Sequence, residues 1–451
     1  MRRRRPLLVM LAVVLIAVGL VSSLNRPTNP SLLAGGINVG SYAESTALFC
    51  TGLGGNVSSA AASLEGHVVF LNTTDASRSL AVQVVNDLGQ RAFATLHVGA
   101  HATTLVSPIT LLKAHSYAVE AQVSGGGVVA QEVNKTGQAA VPCTSTGVTN
   151  WYGAGFDTVV GSSGVLSIYN PTATPAVFNV ATYSSAGYAA PAPFQGLSVA
   201  AHSQLEVDLG TQVVNMTNIG VHVTVLRGSL AVVGVQQSGG VDSFITGATA
   251  PSRVAWFPLV TTVNGALAEI RVANPGATAA DVTIHVKLAK FDIAPQSVTI
   301  APYSSGFVVV TPNSAIPANG YAAVKFTSNE PVVTSLASGT SAGISLWTPQ
   351  GPSANFLLSD FSGHGFNDAA VTNTSSRSLT VHFTTLGTKS VSASATLAGG
   401  STQSILSLFA GVTSLNATTL LVKSSAPRLL VTTTLPSSPV GVTVVSVLDG
   451  G

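Results

Sequence analysis

A strand that stops at an asparagine occurs four times in this chain, at nearly even intervals. The clearest copy runs Val165-Leu166-Ser167-Ile168-Tyr169-Asn170-Pro171, and the others are His67 to Thr73, Leu267 to Pro275 and Asn367 to Thr374. The terminal asparagines Asn72, Asn170, Asn274 and Asn373 lie 98, 104 and 99 residues apart. A period near one hundred residues is the size of one β-sandwich, so the spacing predicts four tandem sandwiches.

The positions around each asparagine repeat as well. Two and four residues before it stand Phe70/Val68, Ile168/Leu166, Val272/Ile270 and Val371/Ala369. All are apolar and fall on one face, because side chains alternate along a strand. Eight and ten residues after it stand Leu80/Val82, Phe178/Val180, Val282/Ile284 and Val381/Phe383, with small or polar residues between them. That alternation marks a second, half-buried strand. Pro171 and Pro275 follow two of the asparagines and cannot donate to a ladder, so the strand must end there. Thr73 and Thr374 replace the proline in the outer copies, where the turn is expected to be less rigidly fixed.

Downstream, each copy continues with short strands parted by turns: Gly99-Ala100-His101, Ala200-Ala201-His202, Ala301-Pro302-Tyr303 and Ala398-Gly399-Gly400. The third copy reads as separate strands at Tyr321 to Thr327 and Val332 to Leu336. No sustained 3.6-residue period follows the N-terminus, and only Leu105 to Ala114 and Leu406 to Phe409 have room for a helical turn. The expected fold is all-β: four Ig-like or fibronectin-like sandwich repeats over 49–148, 149–249, 250–350 and 351–451. A hydrophobic helix over 1–24 and a flexible tether over 25–48 precede them.

Charged residues make up 8% of the 451 and apolar ones 46%, against about 25% charged in an average soluble chain. Polarity must come from Ser, Thr, Asn and Gln, as suits an extracytoplasmic all-β protein. Four of the positive charges are Arg2 to Arg5; without them 15 basic residues face 17 acidic ones. No basic stripe remains, and nucleic acid is not an expected partner. The arginines precede an apolar run from Leu7 to Val21 and direct the rest of the chain outward. The run reads as an uncleaved single-pass membrane anchor with the C-terminal region outside the cytoplasm. The alternative is a signal peptide cleaved near Val21-Ser22-Ser23, which would leave a secreted protein.

Cys50 and Cys143 are the only cysteines and bracket the first copy. In an oxidising compartment they would pair, closing a loop worth at most about 4–5 kcal/mol; the other reading is two buried thiols. Aromatic residues open the later copies: Trp151, Trp256 and Phe356 stand 19, 18 and 17 residues before the asparagine. They read as core or joint residues. Their neighbours Tyr152 and Phe257 would then point the other way, and are the candidate ligand-contact aromatics for a sugar-stacking platform.

Motifs for catalysis are weak. Gly339-Thr340-Ser341-Ala342-Gly343 matches a nucleophile elbow, with Asp360 and His364 following in the right order. The elbow needs a strand before it and a helix after it, and Ile344 to Trp347 reads as a strand. Glu206 and Asp208 share a strand face as an acid pair, which reads better as a solvated face. The nine histidines are scattered, so neither a metal site nor a cofactor is expected.

The basic head with its apolar segment, the Cys50/Cys143 pair, the Asn170-Pro171 and Asn274-Pro275 strand ends, and the openers Trp151-Tyr152 and Trp256-Phe257-Pro258 together resemble an uncharacterised family of actinobacterial envelope proteins. That resemblance implies a membrane-anchored extracytoplasmic protein associated with envelope glycan synthesis, and it carries no catalytic residues. The expected function is non-catalytic binding or scaffolding of a partner protein or envelope glycan. The alternatives are a hydrolase of envelope polymers, using Ser341 or Glu206/Asp208, and a purely structural spacer.

Overall fold

The computed structural model describes residues 45–54, 66–114, 116–134, 140–239, 241–261, 267–288, 292–311, 320–340, 343–347, 354–359, 369–386, 391–409, 419–432 and 443–446. The segment expected to anchor the chain, 1–24, and nearly all of the stretch read as a tether lie outside them. The first strand, Ser45–Gly54, takes in the last residues of that stretch. Among the described residues no helix is long and apolar enough to cross a membrane.

The described residues are almost wholly antiparallel β-structure. Among them the helices are single turns, including Pro108–Leu111 and Leu406–Leu408, where the sequence leaves room for them. The strands build several sheets, and each of four hydrophobic cores draws on an opening sheet and an asparagine sheet. The opening sheets contain the strands Ser45–Gly54, Asn150–Phe156, Ser252–Thr261 and Asn355–Ser359. The asparagine sheets contain Gly66–Asn72, Ser162–Tyr169, Leu267–Asn274 and Ala370–Asn373. The Cys50–Cys143 disulfide ties the first opening strand to the chain just beyond its asparagine sheet, with both sulfurs inside the core.

The four asparagines make one hydrogen-bond pattern. Asn170 Nδ2 donates to the carbonyls of Thr174 (2.8 Å), Val199 (3.1 Å) and Ala200 (3.0 Å), and its Oδ1 accepts from Thr172 N (2.9 Å). Asn72, Asn274 and Asn373 repeat each of these contacts on the matching residues. All four side chains are fully buried. Only an amide of this length supplies donors to one side and an acceptor to the other, which closes the turn and holds it to the hairpin some 25–30 residues later. The expectation of looser turns at Thr73 and Thr374 is corrected. Thr73 N and Oγ1 both donate to Gly127 O, and Thr374 N and Oγ1 both donate to Arg428 O, bonds that proline cannot make.

The third sheet pair departs from the expected strands. Tyr321 to Thr327 and Val332 to Leu336 are one strand, Gly320–Thr340, which pairs in the opening sheet and then in the asparagine sheet. In the first two pairs the chain turns between sheets at glycines with positive φ: Gly125, Gly126 and Gly127, and then Gly228. Asn329-Glu330-Pro331 stands at that place in the third pair. The fourth pair has no glycine there either, Ser425-Ala426-Pro427-Arg428, and its strands Thr419–Ser424 and Leu429–Thr432 still stay separate, so glycine eases the turn without being required for it.

Candidate functional site

Three consecutive joints link the sheet pairs, and the outer faces of the opening sheets build them. Phe49, Tyr152 and Trp256 occupy one register, opposite Glu120, His222 and Lys325. Val85, Tyr183 and Lys287 stand thirteen residues after their asparagines, opposite Ala118, Gly220 and Ala323. The next asparagine sheet lays its own outer face on these residues. Tyr169 and Ala231 bury against Phe49, Val85 and Ala118 at the first joint. Ala273 and Val333 bury against Ala154, Tyr183 and Tyr152 at the second. Trp256 and Ala323 are buried at the third, with Lys325 Nζ 5.6 Å from the indole centre.

This register divides the tryptophan openers between core and joint, and corrects the reading of Phe257 as a ligand-contact residue. Trp151 is 19 residues before its asparagine and Trp256 is 18; one residue in a strand exchanges the two faces. Trp151 therefore enters the second core, its Nε1–H donating to Thr246 O (2.8 Å), while Trp256 faces the joint. The neighbours exchange roles accordingly. Phe257 is 0% exposed in the third core and has no face to offer a ligand. Tyr152 is half-buried at the second joint, stacked on His222 at 3.9 Å and 11°.

The joints also bury charge. At the second, Arg271 reaches back into the preceding sheet pair: Nη1 donates to Asp157 Oδ2 (2.8 Å) and Gly155 O (2.7 Å), and Nε donates to Glu269 Oε1 (2.9 Å). Asp157 Oδ1 also accepts from Asn218 N (2.8 Å). Gly155 sits in a bulge of the opening strand at φ +96°, and a Cβ there would strike Ser335 Oγ. Burial lowers His222 to about 4, so its ring is neutral at pH 7. At the first joint Ser167 takes the place of Arg271, donating from its hydroxyl to Thr51 O beside the matching bulge. There Glu132, fully buried, accepts from Gly52 N. Burial pushes its carboxyl up to about 8, outweighing the Gly52 and Leu53 N–H groups that favour the anion.

The acid pair expected at Glu206 and Asp208 is divided between two tasks. Asp208 Oδ1 accepts from Gly210 N (2.8 Å) and caps a short 3-10 turn. Glu206 faces the first sheet pair. Burial and then Asp87 raise its carboxyl to about 7, against the opposing effect of the Ser116 hydroxyl. Ser341, Asp360 and His364 lie outside the described residues. The residues flanking Ser341 belong to a hairpin, with Thr340 paired to Gly343, and a strand follows where the elbow needs a helix. Among the described residues no group of three or more His, Cys, Asp or Glu could hold a metal ion.

A second tier of aromatics at the second joint was missed in the sequence. Tyr183 pairs across its hairpin with Tyr188, ring centres 5.7 Å apart, and Tyr188 meets Tyr303 of the next sheet pair edge-on at 6.3 Å. Tyr188 is 54% exposed and Tyr303 is 45% exposed. Phe307, on the strand after Tyr303, is 53% exposed on the face that carries Arg271. Burial raises Tyr183 to about 12, with further contributions from Tyr152, Tyr188 and Tyr303. Four of the chain's eight tyrosines thus gather at one joint. One signal was legible. Tyr303 holds the turn position of His101, His202 and Gly400, and all four have positive φ. A bulky residue in that conformation is uncommon and held there by its surroundings.

Residues 117–406, nearly two thirds of the chain, match the model of a family of unknown function (DUF5719). The chain belongs to that family. The DUF5719 match starts in the first opening sheet and ends in the fourth sheet pair, so it covers the second joint whole and parts of the first and third. No curated protein matches the chain. Among solved structures, "Crystal Structure of Thermotoga maritima 1070" aligns with 22% of this chain and 90% of its own, at 19% identity and TM-score 0.19. "Crystal structure of tetra-tandem repeat in extending region of large adhesion protein" aligns with 80% and 95%, at 12% identity and TM-score 0.12. Neither superposition is close enough to carry an argument.

Proposed function

We propose that this DUF5719 protein is a non-catalytic envelope protein outside the cytoplasm, held to the membrane by its N-terminal apolar segment. Its four Ig-like sandwich repeats would form a scaffold that binds a partner protein or an envelope glycan. The scarcity of charge and the buried Cys50–Cys143 disulfide support the location, since such bonds persist in oxidising compartments. The iterated joints support the scaffold, because the first two each fix one repeat against the next through buried side chains. The observation that carries the binding role is the exposed aromatic cluster over the locked second joint: contiguous apolar surface of this kind marks an interaction site. The test is to present the purified chain to envelope glycan fractions and solubilised membrane proteins. Capture at micromolar levels is expected, and a chain that retains neither class contradicts the reading.

The buried joints also favour a second reading, a spacer that sets another factor at a fixed distance from the membrane. Replacing one repeat with an unrelated sandwich of the same length separates the two: a spacer keeps its function and a binder loses it.

A further inference from the structure

We infer that the aromatic cluster at the second joint is a binding site for a neutral saccharide chain, with Tyr188 and Tyr303 as its two stacking surfaces. The inference deepens the binding role proposed above and rests on it.

The site is built from both sides of a joint that cannot easily shift. Tyr188 stands on the edge hairpin strand Gly187–Ala189, braced by the buried Tyr183 directly across from it. Tyr303 arrives from the turn before Ser304–Thr311 in the next sheet pair. Beneath them Ala273 packs into the space left by Gly220, and Arg271 clamps Asp157 and Glu269. The two exposed rings are therefore preorganised, which lowers the entropy lost on binding.

Tyr303 also holds its ring out at a backbone cost. Its φ is +53°; His101 and His202 take the same conformation in the first two sheet pairs, and the fourth has a glycine, Gly400 at φ +70°. Tyr303 meets Tyr188 edge-on and still leaves its ring 45% exposed, where glycine would relieve the turn.

Charge decides the ligand class. The surface rings present phenol faces and hydroxyls, and the ions nearby, Arg271, Asp157 and Glu269, are buried and paired with one another. Among the described residues of this joint, an acidic polymer finds no free cation and a basic peptide no free carboxylate. A pyranose offers a C–H face that stacks on an aromatic ring by dispersion and hydroxyls that bond to a phenol rim. Two neighbouring rings set at an angle suit consecutive sugars of a chain.

The test titrates the full chain with linear glucan, mannan and galactan oligosaccharides, using polygalacturonate and heparin as acidic controls, followed by calorimetry. Tyr303→Gly and Tyr188→Ala are compared with the parent. Tyr303→Gly removes the ring while easing the backbone, so its melting temperature should equal or exceed the parent's. The expected result is binding of at least one neutral oligosaccharide, weakened at least about tenfold by each substitution, with folding intact. Neutral binding that both variants retain moves the site elsewhere: it overturns this inference and leaves the general binding role standing. Binding of an acidic polymer, lost in the variants, overturns the saccharide class. No binding of any neutral oligosaccharide at millimolar concentration overturns the inference outright. The location is tested separately, by quenching cells with acid and then alkylating Cys50 and Cys143 in denaturant. Free thiols there contradict an exported protein without touching the saccharide measurement.

Discussion

The side-chain amide of Asn170 gives its hydrogens to three carbonyls and accepts one N–H, all in a fully buried turn. Asn170→Ala leaves these groups without partners and should cost about 2–4 kcal/mol, since each unsatisfied buried group costs about 1–3 kcal/mol. Asn170→Asp should cost more at pH 7, because a carboxylate faces carbonyls to which it cannot donate. Denaturant midpoints of the two variants check the order; an Asp variant as stable as the parent contradicts the clamp. Glu132 supplies a second residue-scale prediction. Its folded carboxyl is raised by burial to about 8, so the folded state holds a proton that the unfolded chain releases above its ordinary carboxylate range. Its contribution is complete at acid pH and is lost as pH rises toward and through 8. His222, lowered by burial to about 4, works the other way: its contribution is present above the ordinary imidazole range and is lost as pH falls toward 4. Melting temperature against pH should therefore fall on both sides. Glu132→Gln should flatten the alkaline limb and leave the acid limb in place; an unchanged alkaline limb sinks this account of Glu132.

At the scale of the element, register decides what the sequence could show. Period-two alternation around Asn72, Asn170, Asn274 and Asn373 fixed which residues enter the cores, because each face repeats every second residue regardless of its partners. Helical turns at Pro108–Leu111 and Leu406–Leu408 and the Cys50–Cys143 bond were legible for equally local reasons. The roles of Trp151 and Trp256 were not. Their counts of 19 and 18 residues look equivalent until the ladders place one in a core and the other on a joint. Likewise, nothing near Asn329 announces that Gly320–Thr340 will run unbroken through two sheets, since the glycine-free stretch Ser425 to Arg428 of the fourth copy still parts two strands. The Tyr183–Tyr188–Tyr303 cluster joins residues up to 120 positions apart, and only the joint brings them together. Gly220 tests the joint as an element. A Cβ there would collide with Ala273 Cβ, which is fixed to its own strand and cannot swing away. Gly220→Ala should cost about 1–3 kcal/mol and raise hydrogen exchange in Leu267–Asn274 as well as in Ile219–Arg227. Faster exchange confined to the substituted strand contradicts a packed joint.

For the molecule as a whole, the joints determine whether the sheet pairs act singly or together. The second joint encloses one guanidinium between two carboxylates, with all three side chains nearly buried. Removing the cation from such a group costs about 3–5 kcal/mol, because the acids remain buried and unpaired. The joint should thus be the strongest link between the halves of the array, and the aromatic cluster above it the most rigid part of the surface. Calorimetric unfolding of the parent chain beside Arg271→Met tests that claim most directly. The account predicts that the parent melts with its second and third sheet pairs in one cooperative transition, and that Arg271→Met splits this transition in two. Separate transitions already present in the parent, and unchanged in the variant, would contradict it.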